Sequence, residues 1–193
     1  MKIQVFAIDP GNKESAFVLL SMDGFWDKAD FLHYDPKSLV MEQHDKRSNS
    51  SVGTALTTWL YDQQDSDDVL YVVIERVQAM GMPVGYEVFE TCEWIGRYSQ
   101  MAEKHFVIPN YVYRLEEKVT LCNDSMAKDA NIRQALIDRF AWHDLKNGKG
   151  TKKDPDVFYG FSADQWAAMA VATTFLEQMA GTGHRAKWRR DKA

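Results

Sequence analysis

Residues 2–11, KIQVFAIDPG, decide the fold. Ile3, Val5, Phe6, Ala7 and Ile8 form an almost continuous apolar run, too short for an ordinary helix, that reads as a strand buried on both faces at the centre of a sheet. The run ends on Asp9, and Pro10-Gly11 stops the ladder and permits a tight turn. A carboxylate therefore stands at the end of a central strand, where burial is otherwise expected.

Working outward, Ser15–Ser21 (SAFVLLS) reads as a second strand, Met22-Asp23-Gly24 as a hairpin turn and Phe25–Tyr34 as a third strand, which together predict an antiparallel meander. Residues 35–51 are polar and irregular. Val52, Leu56, Trp59 and Leu60 share one face of a helix over 52–64. The next apolar run, VLYVVIE at 69–75, again closes on an acid, Glu75. Val88, Phe89, Cys92, Ile95 and Tyr98 predict a helix over 86–104, and Phe106–Tyr113 a fifth strand parallel to the fourth. A helix is expected from Asp124 or Ser125 to Phe140, a mobile polar loop over 143–160, and a close-packed Ala-rich helix over 162–179. The expected fold class is α/β: a five-stranded mixed sheet, antiparallel meander then parallel strands, flanked by helices. Residues 1–180 form one domain and 181–193 a basic tail.

The 193 residues fit one core of ordinary globular composition. A formal charge of −5 argues against a uniformly basic DNA coat, but it hides an asymmetry. The last ten residues carry Arg185, Lys187, Arg189, Arg190 and Lys192 against Asp191 alone, leaving +4 there and −9 on the other 183 residues. Ten acids crowd residues 23–68, and Lys146, Lys149, Lys152 and Lys153 lie in a Gly-containing stretch. Cys92 and Cys122 belong to no CxxC or Cys/His cluster, which excludes a disulfide framework and a structural zinc site. The N-terminus lacks a signal-like apolar run and no stretch approaches the roughly 20 apolar residues of a membrane span, so a cytoplasmic protein with no membrane partner is expected.

Three acids are placed for chemistry: Asp9 and Glu75 at strand ends, and Asp164 in the first turn of the Ala-rich helix. Each has an ordinary explanation as a turn former, a solvated strand end or a helix-dipole partner. Together they suggest convergence, because the carboxyl ends of neighbouring strands open on one crevice and a helix across that edge delivers a third group. Clustered carboxylates need a cation to stay ionised, and oxygen ligands select hard ions such as Mg²⁺ or Mn²⁺.

FAIDPGNKESAFVLL, VVIERVQAM, YRLEEKVTLCNDSMAKDANIRQAL and FSADQWAAMAVA resemble the RuvC family of Holliday-junction resolvases within the RNase H-like superfamily, over most of residues 1–180. The resemblance implies an RNase H-like nuclease domain in which Asp9, Glu75 and Asp164 are the catalytic, metal-binding acids for two Mg²⁺ ions, with Mn²⁺ substituting. It implies Lys118 and Lys128 as phosphate contacts, a homodimer, and cleavage of branched, four-way DNA leaving a 5′-phosphate. Arg185, Lys187, Arg189 and Arg190 of the tail are added as DNA-binding residues from their charge. The family carries a further Asp where this chain has Phe161; either three carboxylates suffice or a nearby acid such as Asp156 substitutes. Its wedge aromatic is replaced by Gln78, leaving Met80, Met82 or Tyr86 to unstack bases. The divergence suggests a phage version. The alternative function is a non-catalytic DNA-binding or scaffold protein that keeps the fold.

Overall fold

A computed structural model describes residues 1–78, 81 and 83–181. Six strands, β1 (Lys2–Asp9), β2 (Glu14–Trp26), β3 (Leu32–Tyr34), β4 (Val40–Ser48), β5 (Val69–Arg76) and β6 (Asn110–Tyr113), form one sheet. Five helices accompany them: α1 (Asn49–Asp62), α2 (Tyr86–Lys104), α3 (Arg114–Cys122), α4 (Asp129–Phe140) and α5 (Ala163–Met179). The strand order is β3-β2-β1-β5-β6, with β4 pairing beside β3 along the outer edge of β2.

β1 is central because both of its faces are apolar. Ile3, Val5 and Ala7 pack with Leu136, Trp166, Ala168 and Val171 of α4 and α5. Phe6 and Ile8 pack on the other face with Val52, Leu56 and Trp59 of α1 and with Ile95 and Tyr98 of α2. α5 is buried almost all round, and Ala168, Ala170 and Ala172 are fully buried, which lets it lie close to the strands.

The α/β class and the mixed sheet match the expectation, with four corrections. The sheet has six strands, not five, because 40–48 is a strand: its polar sequence (VMEQHDKRS) suits an exposed edge whose partner is β2 alone. The turn expected at Met22–Gly24 is absent, since β2 runs on to Trp26. A Cβ at Gly24 would stand 2.5 Å from Ile3 Cδ1 and 2.8 Å from the His33 carbonyl oxygen, so this glycine serves close approach between strands rather than reversal. The chain instead turns at Asp27, whose Oδ1 accepts the Ala29 and Phe31 N–H groups at 2.9 and 3.0 Å. α4 starts at Asp129 rather than at 124–125, because Asp124 is spent on a turn with Met126 and Ala127. Finally, 143–160 is tied down: Asp144 accepts the N–H groups of Lys146, Asn147, Lys149 and Gly150, and Lys149 Nζ donates to the Phe161 carbonyl at 2.7 Å.

Candidate active site

β1 and β5 are parallel neighbours with Ile8 opposite Ile74, so Asp9 and Glu75, one residue further on each, emerge side by side. Glu75 lies opposite Val112 of β6, and α3 begins two residues later at Arg114. The carboxyl ends of three parallel strands thus share one edge. α5 packs across β1 and β2 and brings Asp164 to that edge in its first turn.

Burial pushes the Asp9 carboxyl up to about 8, helped by the charge of Glu75, a hydrogen bond with it and the charge of Asp164, against the opposing pull of Arg114. Burial raises Glu75 as well, while Arg114 and the hydrogen bond from Asp9 restrain it. At neutral pH the pair shares a proton carried on Asp9, since two adjacent buried carboxylates do not both ionise without a cation.

A third carboxylate faces this pair from α3. Glu117 is fully buried, and burial followed by the charge of Glu75 raises it well above the usual range. Arg114 Nη1 stands 2.5 Å from Glu117 Oε2, and Arg114 Nη2 is 2.5 Å from Asp129 Oδ1. Sequence reasoning misses Arg114 and Glu117, because it places no element over residues 114–122. A signal is nevertheless present: in a helix over RLEEKVTLC, Glu117 shares its buried face with Thr120 and Leu121, and an acid on an inward face calls for an explanation.

Asp164 sits at the rim, drawn toward the edge strand. Lys46 Nζ of β4 is 2.6 Å from Asp164 Oδ2 and 3.4 Å from Glu14 Oε2. Among the described residues, no three His, Cys, Asp or Glu side chains are gathered closely enough to close around one ion. Lys46→Gln frees Asp164 and is expected to change Tm by no more than a few degrees, because an ion pair this exposed is screened.

The two positions bearing on a further acid are both structural. Phe161 is buried among His44, Phe158 and Trp166, with ring centroids 4.6, 5.2 and 5.4 Å away, so the side chain there belongs to the core. Asp156 does not substitute for the missing acid. Its carboxylate accepts the Trp142, His143, Asp144 and Val157 N–H groups at 2.7–3.0 Å. Burial alone would raise it, but these four donors together hold it below the usual carboxylate range. Asp156→Ala leaves them without an acceptor and is expected to cost about 2–4 kcal/mol, read as a drop of roughly 5–15 °C in Tm. Because the folded carboxyl is depressed, its stabilisation is present above about pH 4 and lost as pH falls, so the gap between variant and wild type narrows in acid.

Lys118 lies on α3 next to Glu117 and is half-buried, while Lys128 is exposed just before α4. The cation that acts on Asp9, Glu75 and Glu117 is Arg114 rather than either lysine. Arg114, Arg133, Asp129, Asp164 and Trp166 line a cleft of about 150 Å³ beside the acids. Gln78 and Tyr86 are exposed; Met80, Met82, Arg185, Lys187, Arg189 and Arg190 lie outside the described residues.

No protein-family model and no curated protein matches the sequence. Solved structures do. Thermus thermophilus RuvC aligns over 95% of this chain and 98% of its own, with a TM-score of 0.56 at 17% identity. T. thermophilus RuvC in complex with a Holliday junction substrate aligns over the same shares, with a TM-score of 0.55 at 12% identity. The chain has the RuvC fold. This RuvC-like sheet is the RNase H-like architecture expected from the sequence, and Asp9 and Glu75 sit at the carboxyl ends of two of its parallel strands. Among the described residues no helix is long and apolar enough to cross a membrane.

Proposed function

We propose that the protein is a divalent-metal-dependent endonuclease acting on branched DNA, four-way junctions foremost. The observation that carries this reading is the buried Asp9–Glu75 pair, close enough to share a proton at the strand edge of a RuvC-like sheet, with a third buried acid near it and Arg114 as the cation acting on all three. Buried carboxyls that ionise together only beside a cation, with oxygen-only donors, fit Mg²⁺ or Mn²⁺. Asp9, Glu75 and Asp164 are assigned as the metal-holding acids, with Lys46 yielding Asp164 as a stronger counter-charge arrives. Ions held by these acids would supply Lewis-acid chemistry, lowering the pKa of a water and offsetting charge on the leaving oxygen of an in-line displacement. In the net reaction the water oxygen bonds to phosphorus, the bond from phosphorus to O3′ breaks, and O3′ leaves with a proton, giving a 5′-phosphate and a 3′-hydroxyl.

The residues around the acids have matching tasks. Arg114 and Arg133 line the adjoining cleft, where guanidinium groups suit phosphate oxygens. Lys118, Lys128 and the tail residues Arg185, Lys187, Arg189 and Arg190 are assigned to more distant phosphates, which position the junction without reading bases. One chain carries one site, so paired cuts of a two-fold junction require a homodimer.

The test is a labelled four-way junction incubated with protein and Mg²⁺ beside a linear duplex of the same sequence. Paired nicks confined to the junction are expected. Binding without nicking under any divalent ion would favour the scaffold reading, to which Phe161 and the dispersed acids lend support. Truncation after Gly183 is expected to weaken junction binding and flatten its salt dependence, the log–log slope falling by up to about one for each phosphate that the tail neutralises. An unchanged slope would assign the tail no DNA contact.

A further inference from the structure

Two buried oxygens on one face of α3 lack partners. Glu117 Oε1 and Thr120 Oγ1 are both buried and accept or donate no hydrogen bond among the described residues. They are three residues apart, hence stacked on the same side of the helix. Unsatisfied buried polar atoms are uncommon, and a pair on one helix face marks a polar occupant. The other Glu117 oxygen is held by Arg114 at 2.5 Å, so the carboxylate is anchored at one end and free at the other. The charges of Glu75 and Asp9 both act on this carboxyl, which places it within reach of the strand-edge pair. Meanwhile the position from which the start of α5 could supply a second acid is Phe161, sealed in the aromatic core.

We propose that Glu117 is a further metal-binding carboxylate of the site, supplied from α3 in place of an acid at position 161, with Thr120 holding a water of the ion's shell. The assignment rests on the nuclease reading above. Three features favour it over a purely structural Glu. A Glu kept only to pair with Arg114 has no need of full burial, because Arg114 already has Asp129 as an exposed partner. Burying a carboxyl with one oxygen unsatisfied costs stability, which persists where function requires it. A hard cation prefers six or more oxygens, and Asp9, Glu75 and Asp164 alone leave most of the shell to water.

The experiment is Mn²⁺ titration of the full chain, followed by electron paramagnetic resonance of free Mn²⁺, for wild type, Glu117→Gln, Glu117→Asp and Asp9→Asn. Thermal melts verify folding of each variant. Wild type is expected to bind Mn²⁺, Glu117→Gln to bind at least about tenfold more weakly, Glu117→Asp to fall between them, and Asp9→Asn to lose binding. A merely structural Glu117 predicts lowered melting temperature with unchanged Mn²⁺ affinity. Folded Glu117→Gln with wild-type affinity, beside a defective Asp9→Asn, would overturn the Glu117 assignment and leave the nuclease reading standing. Absence of Mn²⁺ binding by wild type would overturn both. If Glu117→Gln fails to fold, Glu117→Asp decides: wild-type affinity refutes the assignment and weakened affinity supports it.

Discussion

Asp9→Asn is expected to lower junction cleavage by on the order of 10³-fold or more while leaving junction binding nearly unchanged. The substitution keeps the size of the side chain and removes the central carboxylate, the one whose proton a bound cation would displace. Without this carboxylate the site no longer holds the cation that would offset the charge developing on phosphate, so the effect falls on turnover rather than on binding. Glu75→Gln is expected to behave the same way, since Glu75 is the register neighbour of Asp9 on β5. Asp164→Asn is the informative third variant because Asp164 lies at the rim and is held by Lys46. Its full activity would remove Asp164 from the metal-holding set and leave Glu117 as the third acid. The readout is single-turnover cleavage of a labelled junction, paired with a gel-shift in Ca²⁺.

The second large effect is on stability, and its sign opposes the first. A carboxyl raised to about 8 in the folded protein and ordinary when unfolded binds a proton in the native state that the unfolded chain has released. Metal-free stability therefore falls as pH rises from about 4 toward 8. Asp9→Asn carries no such proton, so it is expected to flatten this decline and raise the metal-free Tm at pH 8 by roughly 5 °C or more. Mg²⁺ is expected to stabilise wild type increasingly as pH rises, because binding displaces the shared proton, and to stabilise Asp9→Asn little. Scanning calorimetry in EDTA and in Mg²⁺ at pH 5, 6.5 and 8 measures all of this. A wild-type Tm flat with pH in EDTA would contradict the shared proton. Scans of wild type and Asp156→Ala extended below pH 4 report the acid limb, where the depressed carboxyl gives the opposite slope.

What the sequence makes legible follows from burial. Strands buried on both faces, such as 2–9 and 69–75, are apolar almost without interruption, so the acids near their ends stand out, and their convergence follows from parallel pairing. The sixth strand is not legible, because an exposed edge needs no apolar face, and with it goes Lys46, the partner of Asp164. α3 escapes notice because it starts directly where β6 ends, with no turn signal between them. Its capping Glu116, whose Oε2 accepts the Tyr113 N–H at 3.0 Å, is the available cue. That cue turns Glu117 inward and brings Arg114 beside it. Asp156, a spare ligand by its sequence position, acts on four backbone donors that only the folded 143–160 segment assembles.

The central claim is that the acids at this strand edge hold catalytic metal, and the most direct measurement is an anomalous difference map from a crystal soaked in Mn²⁺ near pH 8, where the shared proton is readily displaced. The account predicts Mn²⁺ peaks coordinated by Asp9 and Glu75, with Asp164 turned away from Lys46 and a Glu117 oxygen in or next to the shell. A map from a fully soaked crystal with no Mn²⁺ at Asp9 or Glu75, and Asp164 still bound to Lys46, would contradict it.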